Sequence, residues 1–142
     1  MKNYLEARRE ELRKRGDQGF TLMEMLIVVA IIAVLIAIAI PVFTTQLEKS
    51  REATDLANVR SAYAELMAEY ITWDGQTDID PIEVPAKQVQ DNWQTDNDEA
   101  TTIISEGHDG EGVEVPAVVG GNYVVSIETE GDDAGTVTVT AA

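Results

Sequence analysis

Residues 19–43 read GFTLMEMLIVVAIIAVLIAIAIPVF, and the reading of this stretch decides the fold. Glu24 stands at its entrance. From Met25 to Phe43 there follow nineteen residues without a charge. As a helix rising about 1.5 Å per residue they would run about 28 Å, close to the roughly 30 Å hydrocarbon core of a bilayer. The run is apolar all round and not along one stripe. A helix of that kind is buried on every side, in lipid or among other helices. A carboxylate beside it is costly unless it stays hydrated or meets a positive group.

Working outward, the N-terminal flank is basic and the rest is acidic. The 142-residue chain carries a formal charge of -16 with a pI near 4.2. Residues 1–19 nevertheless hold Lys2, Arg8, Arg9, Arg13, Lys14 and Arg15 against Glu6, Glu10, Glu11 and Asp17. Past them only Lys49, Arg51, Arg60 and Lys87 offset 22 acids, the total of 26 less those four. By the positive-inside tendency the basic flank stays in the cytoplasm and the C-terminal part goes out. The acidic bulk repels phosphate backbones, so direct nucleic-acid binding is not expected. A cleaved secretory signal would show a shorter apolar core and a small-residue cleavage site. Here apolar residues continue to Phe43, so from the run alone an uncleaved signal anchor is the plain alternative. With no cysteine, disulfides and thiolate metal sites are excluded.

The junction itself is more specific. Gly19-Phe20-Thr21-Leu22-Met23-Glu24, behind a basic leader and before an apolar run, resembles the processing site of type IV prepilins and pseudopilins. The resemblance covers residues 1 to about 50. It implies that a membrane aspartyl peptidase cuts between Gly19 and Phe20 on the cytoplasmic side and that the new Phe20 amine is methylated. It also implies that Glu24 meets the amine of a neighbouring subunit in a filament core. Pro41 falls at a family position as well, and its missing N–H loosens the helix around it. Pilin helices often carry a glycine earlier in the run, where this chain has Ala33, a strong helix former.

Beyond the run, Leu56, Val59, Tyr63, Leu66, Tyr70 and Trp73 are spaced 3, 4, 3, 4, 3. That spacing predicts one buried face of a helix, with Arg51, Asp55, Arg60, Glu65 and Glu69 on the other faces. The stripe is too short to argue a coiled coil. Asp74-Gly75 supplies a stop, so one helix is expected over about 21–73, some 80 Å at the standard rise. Residues 74–100 read as polar and irregular, with Pro81 and Pro85 opposing helix. Short β-like runs follow at 101–105, 113–119, 122–129 and 136–141. Tyr123, Val125, Ile127 and Thr129 share one side of theirs, as do Val137 and Val139, and residues 131–135 read as a hairpin loop. The expected fold is α+β and pilin-like: the long helix, with its apolar first half, packed in its second half by a three- or four-stranded antiparallel sheet. So small a head without disulfide or metal needs the helix as one wall.

Catalytic chemistry is not in view. His108 is the sole histidine, and no nucleophile set converges on it. The acids at 78–80, 96–99 and 109–111 offer oxygen ligands without the EF-hand spacing, so no metal and no cofactor are expected. The expected function is a structural subunit of a type IV pilus-like filament and not an enzyme. Its expected parts are a leader at 1–19 that is removed, a membrane and filament-core helix at 20–47, and a head at 48–142. Its expected partners are copies of itself, the prepilin peptidase, an assembly motor with its membrane platform, and the membrane before assembly. Its expected course is a single-pass cytoplasmic-membrane protein that becomes extracellular. The alternatives are a pseudopilin of a secretion or DNA-uptake machine, and a signal-anchored binding module that does not polymerise.

Overall fold

A computed structural model describes residues 2–16, 19–95, 101–103 and 112–142. The arrangement is α+β and pilin-like: a long helix with an apolar first half, then a small antiparallel sheet. Helix α1 spans Lys2–Gly16 and helix α2 spans Leu22–Ile71 with Pro41 inside it. Strands β1 (Ile82–Pro85), β2 (Thr102–Ile103), β3 (Val113–Glu114), β4 (Asn122–Ile127) and β5 (Val137–Ala141) follow. The chain divides into two compact units, Met1–Val42 and Phe43–Ala142.

In the first unit, residues 22–42 of α2 expose their apolar side chains all round, among them Ile27, Ile31, Leu35 and Ile38. The helix is long and apolar enough to cross a membrane. Apart from the bond that Pro41 cannot donate, its backbone groups can pair along the helix ladder, which is the condition for sitting in lipid.

The second unit has its own core. Leu56, Val59, Ala62 and Leu66 of α2 are buried against Val84, Tyr123, Val125, Ile127, Val137 and Val139. Tyr63, Met67 and Tyr70 pack at the margin. The stripe thus lines the core, while Arg60, Glu65 and Glu69 face out as their positions predict. Leu66 is fully buried. Leu66→Ala is expected to cost about 2–5 kcal/mol through lost transfer energy and a residual cavity. Thermal unfolding followed by near-ultraviolet circular dichroism would measure it; a loss under about 1 kcal/mol would mean that the stripe does not carry the core.

The helix ends where the sequence says it should. Thr72 and Trp73 close the last turn onto Glu69 and Tyr70, and Gly75 adopts φ 77°, a left-handed conformation that side chains resist. Asp74 caps the turn through Gln76 N (2.9 Å) and Thr77 Oγ1 (2.9 Å). These bonds hold its carboxyl below the usual range. Trp73 stacks on Tyr70 with ring centroids 6.0 Å apart.

The main sheet has the order β1-β4-β5, antiparallel throughout. Val125 at its centre pairs with Ile82 on one side and Val139 on the other. The β4–β5 hairpin forms at the predicted loop, with Glu128 N donating to Thr136 O at 2.9 Å. Gly135 has φ 90°, and a Cβ there would lie 3.2 Å from the Tyr70 ring, so both conformation and space require glycine. Tyr123, Val125 and Ile127 point into the core, as alternation predicts.

Three readings need correction. The third strand of this sheet is β1, inside the segment read as irregular. Its two prolines argued against helix and hid a four-residue strand; at a sheet edge Pro85 loses no ladder bond that the strand needs. Of the runs read at 101–105 and 113–119, Thr102–Ile103 and Val113–Glu114 pair instead as a separate two-stranded sheet, β2-β3, while 104–105 lie outside the described residues. Val115 and Val118 are buried after β3 without being in a strand. Last, Asp55 is not on an outer face but fully buried.

Candidate processing and assembly site

The residues singled out by the junction motif lie at the entrance to α2. Gly19, Phe20 and Thr21 are non-helical and exposed. Helix α2 starts at Leu22 because Thr21 caps it. Glu24 N donates to Thr21 Oγ1 (3.2 Å), and Thr21 N donates to Glu24 Oε2 (2.7 Å). This reciprocal pair is a capping box, satisfying two backbone donors that a helix start otherwise leaves open. Its negative charge also sits at the positive end of the helix dipole. The Thr-x-x-Glu pattern was legible in the sequence, where Glu24 drew attention only for its charge. Phe20 is 79% exposed, so its ring has no intrachain pocket.

Pro41 lies within α2, and the assigned helix continues through it. Ala30, Ile31, Val34 and Leu35 line a shallow, almost wholly apolar depression on the same helix. None of these residues provides catalytic chemistry. Among the described residues no cluster of His, Cys, Asp or Glu suits a metal ion. His108 and the acids at 96–99 and 109–111 lie outside the described residues.

A second polar constellation, missed by sequence reading, lies in the head. Glu48, Glu52 and Asp55 are each at most 1% exposed. They project from α2 toward residues 86–95 and accept bonds from that segment. Asp55 takes Lys87 N (2.9 Å) and Gln88 N (2.9 Å); Glu48 takes Val89 N (2.6 Å) and Gln90 N (2.8 Å). Glu52 takes Gln94 N (2.5 Å) and Thr95 Oγ1 (2.6 Å). Arg51 adds a guanidinium 3.0 Å from Glu48. Burial pushes the Glu48 carboxyl up, but the N–H groups of Gln90 and Val89 and the Arg51 charge outweigh it, so the group lies below its ordinary value. Burial, and then the nearby Asp55 charge, pushes Tyr123 up to about 12. The signal was available: 48, 52, 55, 59, 62 and 66 continue one stripe toward the N-terminus. Acid identity argued for an outer face, and backbone donors from a distant segment overrode it.

Residues 14–40 match the family described as prokaryotic N-terminal methylation motif, the prepilin-type signature of type IV pilins and pseudopilins. The match covers 27 of the 142 residues and supports a type IV pilin-like or pseudopilin protein. The motif implies processing by a peptidase and assembly into a filament, and points to a structural subunit. Motif and apolar helix together fit a membrane-anchored precursor that later becomes extracellular. No solved structure matches the chain.

Proposed function

We propose that this chain is the subunit of a type IV pilus-like filament, cut between Gly19 and Phe20 and polymerised through the apolar part of α2. The observation that carries the reading is the exposed, non-helical Gly19-Phe20-Thr21 segment at the head of an all-round apolar helix, within the methylation motif. Proteases bind their substrates extended, and a glycine before the cut leaves the backbone accessible. In this reading residues 1–19 are a cytoplasmic leader that is discarded, 20–47 the membrane and filament-core helix, and 48–142 the head. The cut subunit waits in the membrane as one helix. A motor and platform supplied by other proteins lift it, and its apolar surface exchanges lipid for the helices of its neighbours. Glu24 then pairs with a neighbour's Phe20 amine, and Pro41 gives the helix local freedom in the filament.

Mass spectrometry of the mature protein tests the cut. The expected product begins at Phe20 with one added methyl. Gly19→Val places a β-branched side chain before the scissile bond and is expected to leave the leader attached. A normal cut in that variant, or a mature chain that keeps residues 1–19, would overturn the reading. Long surface filaments built from the subunit would distinguish it from a pseudopilin.

A further inference from the structure

The three buried carboxylates have no part in processing or in filament pairing as proposed above. Their geometry is unusual in one respect. Glu48, Glu52 and Asp55 stand along one face of α2, so three like charges share a single buried stripe. What satisfies them is chiefly the main chain of residues 87–95: the N–H groups of Lys87, Gln88, Val89, Gln90 and Gln94, plus the Thr95 hydroxyl. The segment's other ties to the head include Ala86 N to Gly121 O (3.0 Å) and the Trp93 indole to Val115 O (3.1 Å). Gln88 Nε2 donates to Asn92 O (2.8 Å), which closes the segment on itself and not onto the head.

We propose that residues 86–95 form an acid-releasable strap, held over the 48–55 face of α2 by these three carboxylates and freed from it when they are protonated. A carboxylate offers several lone pairs to N–H donors. Once protonated it offers fewer, and its new O–H confronts donors that need an acceptor. An orphaned N–H is costly where it is buried, as at Gln88, and costs less at the part-buried bonds of Lys87, Val89, Gln90 and Gln94.

The surrounding charges do not counter this. Arg51 of α2 is paired with Glu48 and favours its ionised form. Lys87 and Asp91 of the strap are exposed, as is Glu114 of β3. From β4, Tyr123 is uncharged until well above neutral pH. Because the Glu48 carboxyl lies below its ordinary value of 4.5, its stabilising contribution is present above that value and is lost as pH falls through the lowered one. The sheet β1-β4-β5 is held by ladder bonds that do not titrate, so the strap is expected to open first.

The test is amide hydrogen exchange of the full chain in detergent micelles, corrected for intrinsic rates, between pH 7 and pH 3. The expected result is that the amides of Lys87, Gln88, Val89, Gln90 and Gln94 lose protection by at least about tenfold below pH 4.5 while those of β4 keep theirs. A triple variant, Glu48→Gln, Glu52→Gln and Asp55→Asn, is expected to show a poorly protected strap already at pH 7 with no further acid step. Strap protection that persists to pH 3 in the parent would overturn the proposal, as would simultaneous loss in strap and β4. So would a triple variant that keeps the parent's acid step. If the triple variant does not fold, the parent's titration alone decides.

Discussion

A Glu24→Gln chain is expected to be inserted and cut normally, yet to yield surface filaments at less than about a tenth of the parent's level. The capping box makes this substitution sharper than it first looks. Glutamine at the third helical position can still reach back to Thr21 N, so the start of α2 survives. What is lost is the charge. Before assembly the exposed carboxylate is hydrated at the edge of the apolar run. In the proposed filament that hydration is gone, and the acid must meet a positive amine to offset its desolvation. Glu24→Ala removes the box as well as the charge, so it is expected to assemble no better and also to fray the helix start. Glu24→Asp keeps the charge with a shorter reach and is expected to assemble in part. Fractionation of processed membrane-held subunit against sheared filament measures all three. Filaments as abundant from Glu24→Gln as from the parent would leave Glu24 a helix cap and nothing more.

Asp55→Ala is expected to lower the stability of the head by about 3–5 kcal/mol, the cost of leaving one buried and one part-buried donor without an acceptor. Those donors are Lys87 N and Gln88 N, both 2.9 Å from the carboxylate. For a unit of this size the loss corresponds to a fall of roughly 15 °C or more in Tm. Asp55→Asn separates shape from charge. Its amide can accept through one oxygen only, while Lys87 N now lies within 2.9 Å of both carboxylate oxygens. One contact therefore becomes donor against donor, and an intermediate loss is expected. Buried charges also carry a desolvation cost that a neutral isostere avoids. An Asn variant as stable as the parent would show that this cost cancels the gain from the ionised acceptor. Thermal unfolding of the full chain in micelles, followed by near-ultraviolet circular dichroism, reads both variants.

Much of the molecule was legible because its strongest signals are local. An apolar run of membrane length, a Thr-x-x-Glu pair at its head and an Asp-Gly stop each act over a few residues, so the start, course and end of α2 follow from the chain read in order. The β4–β5 hairpin was legible for the same reason, since alternation and a glycine-flanked loop act between neighbours. β1 was not. A four-residue strand flanked by prolines has no periodicity to display, and it becomes a strand only because β4 offers an edge some forty residues away.

The acids of α2 mark the boundary most clearly. Glu48, Glu52 and Asp55 continue the buried stripe toward the N-terminus, while residue type placed Asp55 on an outer face. Sequence alone cannot weigh these two, because the deciding partners are backbone N–H groups, which every residue but proline carries and no residue identity reveals. Only the tertiary structure brings residues 87–95 over that face, and only there do six charge-assisted donors offset the cost of taking three carboxylates out of water. By itself, then, the sequence determined the helix, its apolar half and the motif at its entrance, because these rest on side-chain character and short-range geometry. The tertiary structure decided the sheet order and the burial of the acids, because both depend on which distant backbone comes to lie alongside.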